Sequence, residues 1–188
     1  MQDMMRLVEP LIPPLRRYAR ALVKDHATAD DLVQDCLERA ITRWHQRRAD
    51  GDARTWLFTI LHNLAVSHMR QNRRRGGHVA LDDVVDESMI ARPPTQEDAL
   101  HHTDVMQALH TLPEDQRSVL LLVSVEDLSY AEAARVLDIP IGTVMSRLAR
   151  AREKLSRKME GASAPMSVKD GATVHRPVFG ASLFRRVK

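Results

Sequence analysis

The chain has 188 residues, 44% hydrophobic and 28% charged, with 28 Lys+Arg against 25 Asp+Glu and a net charge of +3. That composition excludes wholesale disorder, and the length allows one medium domain or two small ones. A single cysteine excludes an internal disulfide framework and a cysteine-clustered zinc site, and it fits a reducing compartment.

At the N-terminus, Asp3, Glu9, Pro10, Pro13 and Pro14 interrupt the stretch where a secretory signal would carry its apolar core. The longest purely apolar run, Val119 to Val123, is too short to cross a bilayer. The expectation is a soluble cytoplasmic protein with no membrane insertion. After Pro14, Leu15, Tyr18, Ala19 and Leu22 form a helical stripe. A second helix is expected from Thr28 or Ala29 to Trp44. Its apolar face holds Leu32, Val33, Cys36, Leu37, Ala40, Ile41 and Trp44, and its polar face Asp31, Gln34, Asp35 and Glu38. Asp50, Gly51 and Asp52 mark a loop between Gln46 and Arg54. A third helix is expected from Thr55 to Arg70, with Trp56, Leu57, Ile60, Leu61 and Leu64 as its stripe. It runs into Arg73, Arg74 and Arg75 before Gly76-Gly77 stop it.

Residues 76–97 carry no helical stripe. They hold Asp82, Asp83, Asp86, Glu87 and Pro93-Pro94, the composition of an acidic linker. A flexible chain of that length relaxes to a span of about 26 Å and extends to about 75 Å. Beyond it, Ala99 to Leu109 suits a helix, and Leu112-Pro113-Glu114 opens another that ends near Val125. Ser129 with Glu132 three residues on is a capping box. It starts a short helix that buries Ala133, Ala134 and Leu137 and is broken at Asp138-Ile139-Pro140. A last helix spans Gly142 to Met159 and buries Val144, Leu148, Ala151 and Leu155. Residues 161–188 mix Gly, Ser, Pro and basic residues, as a disordered tail does. The fold class is all-α: two small helical domains, 1–75 and 98–160, joined by a flexible acidic linker.

The modest net charge hides a pattern. Residues 1–75 carry 14 basic and 9 acidic side chains, residues 76–97 carry 1 and 5, residues 98–160 carry 8 and 10, and residues 161–188 carry 5 and 1. From Arg147 to Lys158 six residues are basic and only Glu153 is acidic. Sign asymmetry of this kind points towards nucleic acid. A short capped helix, a tight turn and a longer basic helix make a helix-turn-helix, whose second helix enters the major groove by its N-terminal part. With Val144, Leu148 and Ala151 turned to the core, Thr143, Met145, Ser146, Arg147 and Arg150 are left for the bases. Arg152, Lys154 and Arg157 are better placed for phosphates.

The run Leu112-Pro113, Gln116-Arg117, Leu128-Ser129-Tyr130, Ala133-Ala134, Pro140-Ile141-Gly142-Thr143-Val144 and Ser146-Arg147-Leu148 resembles region four of the extracytoplasmic function sigma factors. Ala29-Asp30-Asp31-Leu32-Val33-Gln34-Asp35 and Thr55-Trp56-Leu57, Asn63-Leu64-Ala65 and Arg70 are similar to their region two. The resemblance covers about residues 10–160. It implies a promoter-specificity factor that binds core RNA polymerase, through the β′ clamp helices and the β subunit, and promoter DNA, under the control of an anti-sigma factor in a stress response.

Residue by residue, it implies that Asp31, Gln34, Asp35 and Glu38 dock on the clamp helices. The segment with Arg47, Arg48, Asp50 and Arg54 would capture a flipped minus-ten base. Asn63 would line that strand, and Arg70, Arg73, Arg74 and Arg75 would hold its phosphates. Thr143, Met145, Ser146, Arg147, Arg150, Arg152 and Lys154 would meet the minus-thirty-five duplex. Two positions depart from the family pattern: Ser67 stands where many members have Asp, and Met145 where many have Lys or Arg. The linker would have to be held extended to let the two regions reach both promoter elements.

Nine histidines are scattered, and no metal-binding pair, nucleophile elbow or phosphate loop occurs. The expectation is therefore no enzyme, no metal and no cofactor. Cys36, on an apolar face, is expected as a buried structural thiol. Two other readings remain at this stage, a stand-alone helix-turn-helix regulator and a sigma-like decoy that binds an anti-sigma factor.

Overall fold

The computed structural model describes residues 2–23, 25–47, 52–75 and 105–162, and among these every regular element is helical. In chain order they are α1 (Gln2–Val8), a 3-10 turn (Glu9–Leu11), α2 (Ile12–Leu22), α3 (His26–Thr42), a second 3-10 turn (Trp44–Gln46) and α4 (Ala53–Arg74). After the linker come α5 (105–111), then α6 (Glu114–Leu120) running into a π turn (Leu121–Val125), α7 (Tyr130–Leu137) and α8 (Ile141–Ala162). The all-α expectation holds. The linker, the first part of the helix expected from Ala99, and the tail from 163 onward lie outside the described residues.

Local chemistry explains the boundaries. Pro13 and Pro14 sit in the first turn of α2, where backbone N–H groups have no helical partner to lose. Asp25 caps α3 by accepting from the Thr28 N–H at 2.6 Å, so that helix starts earlier than the apolar stripe alone predicts. Asp52 caps α4 by accepting from the N–H groups of Arg54 (3.1 Å) and Thr55 (3.0 Å). This moves the start of α4 to Ala53, and the helix continues past the expected Arg70 to Arg74. The capping box at Ser129 and Glu132 is present in full. Asp138, at φ +51°, takes the left-handed conformation that ends α7.

Helices α2, α3 and α4 bury Leu15, Tyr18, Leu22, Leu32, Val33, Cys36, Leu57 and Leu61 against one another. Phe58, unpredicted, is fully buried, because α4 packs on two sides rather than one. Conversely Ile41, expected in the core, is 53% exposed. Leu37, Trp44, Trp56, Ile60, Ala134, Leu137 and Leu155 are only half-buried. In the second module α6 is buried all round from Gln116 through Val123, the pattern of a central helix. Its ladder widens at the π turn, where the Glu126 N–H reaches the Leu121 carbonyl at 2.9 Å.

The two modules are not apart. Their apolar residues form one continuous core from Met4 to Ala151, with α4 lying against α7 and α2 against α6 and its π turn. Tyr18 of α2 is buried in this joint, its hydroxyl 3.0 Å from His62 Nδ1 and its ring edge-on to Phe58 at 5.5 Å. Two domains joined by a flexible linker were expected; a contact between them was not addressed. A stripe on a single helix does not say whether a second module will cover its far side.

Candidate nucleic-acid interface and docking face

Asp31, Gln34, Asp35 and Glu38 are all exposed on one face of α3. Gln34 donates to Glu38 at 3.0 Å, and among the described residues no ion pair engages Asp31, Asp35 or Glu38. The α3 helix thus offers unspent negative charge. Ile41 stands on the edge of the same face, one turn of helix beyond Glu38, and explains its own exposure by belonging to this face rather than to the core.

The residues expected at a minus-ten strand are less uniform. Arg47 stacks over the Trp44 ring at 4.8 Å, and Trp44 meets Trp56 edge-on at 5.9 Å. This aromatic pair at the foot of α4 was only half legible, since Trp56 alone fits a core stripe. Arg48 and Asp50 lie outside the described residues. Arg54 turns inward, donating to the Glu126 carbonyl and lying 5.9 Å from the Phe58 ring. Asn63, Arg70, Arg73 and Arg74 are exposed along α4, and Arg75 is exposed just beyond its end. Arg73 is paired with Glu114 of the second module at 2.8 Å.

On α8, Val144, Leu148 and Ala151 are buried as expected. Met145, Ser146, Arg150 and Lys154 are exposed, while Thr143, Arg147 and Arg152 are half-buried. Arg147 pairs with Asp115 at 3.2 Å, and Arg152 reaches Ser124 Oγ at 3.3 Å. His62, Arg70 and Arg73 from α4 face Glu114, Asp115 and Arg147 across a cleft between the modules.

The buried groups are structural. Burial pushes the Cys36 thiol up to about 12, and its Sγ donates to the Leu57 carbonyl at 3.5 Å. Burial also holds His62 neutral by lowering its pKa to about 4, with the Arg70 charge acting in the same direction. Sequence reasoning missed Glu126, which is 1% exposed and accepts both N–H groups of Arg17. Burial raises the pKa of its carboxyl, while Arg17 pulls it back. An acid directly following the mostly apolar stretch Val119–Val125, with Leu128 close behind, was the available signal.

Two family models match the chain: "Sigma2 domain of PhyR" over residues 8–62 and "Sigma-70, region 4" over residues 102–155. The chain is 38% identical to the ECF RNA polymerase sigma factor EcfG of Rhodopseudomonas palustris over 145 residues, 77% of this chain and 78% of that one. Its structure is similar to that of the sigma factor RpoE in complex with the anti-sigma factor NepR from Bartonella quintana. That match has a TM-score of 0.72 and 34% identity, and covers 85% of this chain and 98% of the other. It is also similar to CnrH in complex with the cytosolic domain of CnrY, with a TM-score of 0.66 and 26% identity, covering 86% and 90% of the two chains.

Proposed function

The chain belongs to the extracytoplasmic function (ECF) family of RNA polymerase sigma factors, and from that premise we propose how its surfaces divide the work. The α3 face with Asp31, Gln34, Asp35 and Glu38 docks on the β′ clamp helices of core polymerase. The foot of α4, with Arg47 and the segment of Arg48, Asp50 and, once released from the Glu126 carbonyl, Arg54, receives the minus-ten strand. Asn63 and the arginines from Arg70 to Arg75 follow its backbone. Helix α8 enters the minus-thirty-five duplex. Region two then spans 1–75, the linker 76–97, region four 98–160 and a basic tail 161–188. The protein performs no chemistry of its own and works in the cytoplasm, where polymerase and promoter are.

The observation that carries this reading is the coexistence of two surfaces in one chain. One is an acidic helix face that makes no ion pair among the described residues; the other is a capped helix-turn-helix whose second helix is cationic. A stand-alone regulator needs only the second.

Packing of the two modules closes the molecule on itself, and Arg73 is spent on Glu114 in that state. A sigma factor in this form must open before both promoter elements can be reached. An anti-sigma factor, the kind of partner with which the RpoE and CnrH structures were determined, would act by holding the closed form. The match to the sigma2 domain of PhyR also favours a second reading, a decoy for an anti-sigma factor.

Run-off transcription with core polymerase and a promoter library separates the readings. Initiation that requires the protein is the expected result. Anti-sigma binding without any core binding would establish the decoy, and tight promoter binding without core enzyme would establish the stand-alone regulator.

A further inference from the structure

The outward face of α8 is unlike that of a polar recognition helix. Ile141 and Met145 are 47% and 49% exposed, and Ala149, one further turn along the same row, is exposed as well. Residues four apart stack along one side of a helix, so the three make a continuous apolar row. The row rises about 12 Å along the axis. Beside it Gly142 is bare, with no atom within 4 Å of the place where a Cβ would stand.

Two of the polar groups expected at the bases, Ser146 and Arg147, are engaged within the protein. Ser146 Oγ donates back to the Thr143 carbonyl at 3.1 Å. Arg147 is held by Asp115 at 3.2 Å, and Arg152 by Ser124 at 3.3 Å. What stands free at the N-terminal, groove-entering part of the helix is Ile141, Met145 and Ala149, flanked on the solvent side by Arg150 and Lys154. An apolar row edged with cations is complementary to a groove whose floor carries methyl groups and whose walls are phosphates.

We propose that this sigma factor reads the minus-thirty-five element in part through thymine methyl groups, with Met145 as the principal contact and Ile141 beside it. The proposal rests on the assignment of α8 to the minus-thirty-five duplex. Major-groove thymine differs from cytosine by its C5 methyl as well as by its hydrogen-bonding edge, and apolar side chains distinguish it by that methyl. Met, unbranched and flexible, can follow such a surface. The bare Gly142 lets the helix approach the groove without a side chain in between.

The test uses holoenzyme, assembled from core polymerase and the full chain, on a promoter fragment that supports initiation. Each thymine of the minus-thirty-five element, on both strands, is replaced singly by uracil, which removes only the methyl. One or two replacements are expected to weaken holoenzyme binding about fourfold each, the effect of burying one methyl. Met145→Ala should weaken binding to the thymine promoter and make it indifferent to those same uracils. Met145 is half-exposed, so an unchanged thermal melt will show that the variant remains folded. Wild-type binding that ignores every uracil overturns the proposal while leaving the sigma reading intact. A uracil effect that persists unchanged in both Met145→Ala and Ile141→Ala overturns it as well. Failure to initiate on any promoter would bring down the assignment of α8 and the methyl contact together.

Discussion

Arg17 and Glu126 lie 109 residues apart in sequence and grip one another in a two-point fork, Nε to Oε1 at 2.8 Å and Nη2 to Oε2 at 2.7 Å. The Glu126 carboxylate has no exposed surface, whereas the Arg17 side chain is 39% exposed. Arg54 donates to the carbonyl of the same Glu126. Two arginines of the first module thus converge on one acid at the end of the π turn in the second. The fork holds Arg17 charged above its ordinary range. This joint is where the two halves of the sigma factor are keyed together.

Arg17→Ala is expected to loosen the closed form. Removing one partner of a buried pair strands the other charge, and the cost is typically about 3–5 kcal/mol. Because Arg17 is partly exposed, water can replace some of its contacts, so about 2 kcal/mol is the better expectation here. Urea unfolding should broaden or split into two transitions, and small-angle scattering should show a larger radius. A single transition at the wild-type midpoint would show that the fork contributes nothing to the joint. Glu126→Leu combined with Arg17→Met should recover much of the loss, since an apolar pair leaves no charge to desolvate.

Acid should weaken the protein through His62. Its folded pKa, about 4, lies below the ordinary 6.5. The unfolded chain therefore takes up the proton first as pH falls. Stability from this group is full above about pH 6.5, declines as pH drops towards 4, and is fully lost below that, for a total of about 3 kcal/mol. The Tyr18 hydroxyl and Nδ1 of the neutral ring share a hydrogen bond at 3.0 Å, and Arg70 opposes a second positive charge. His62→Phe should flatten the stability profile between pH 6.5 and 4 in chemical denaturation. An unchanged slope would place the acid sensitivity elsewhere.

Ser129→Ala should cost about 1 kcal/mol by removing the N-cap of α7. The wild-type cap is reciprocal: Ser129 Oγ accepts from the Glu132 N–H at 3.2 Å, and Glu132 accepts from the Ser129 N–H at 2.8 Å. At the other end of α7, Asp138→Gly should stabilise by a few tenths to about 1 kcal/mol, because φ +51° costs a residue with a Cβ. Thermal melts of the two variants should move in opposite directions.

Much of this was legible in the sequence. The capping box, the α8 core stripe and the acidic α3 face follow from spacing alone, because each is a local relation within one helix. Three features were not. The start of α3 depends on a cap, Asp25, that stands outside the apolar stripe. The burial of Phe58 depends on a second layer packing over α4. Arg54 was read as a nucleic-acid contact from its place in the chain, yet its guanidinium is drawn to Glu126 by a contact 72 residues away. Periodicity reports which side of a helix is apolar, but not which distant element arrives to cover it.

Reversing charge on α3 tests the docking assignment most directly. Asp31 and Asp35 are exposed and make no ion pair among the described residues, so Asp31→Arg with Asp35→Arg removes no internal contact and should leave the melting temperature within a degree or two. Affinity for core polymerase should nevertheless fall by tenfold or more, since like charges brought together across an interface cost several kcal/mol. Ile41→Ser isolates the apolar part of the same face. A 53% exposed isoleucine contributes little to the fold, whereas covering it in a complex is worth about 1 kcal/mol or more. Its loss should therefore slow nothing in folding but raise the dissociation rate from core. If the double reversal left core affinity unchanged, polymerase would have to dock on another face, and the exposed apolar residues of α1, Met5 and Leu7, would be the next to mutate.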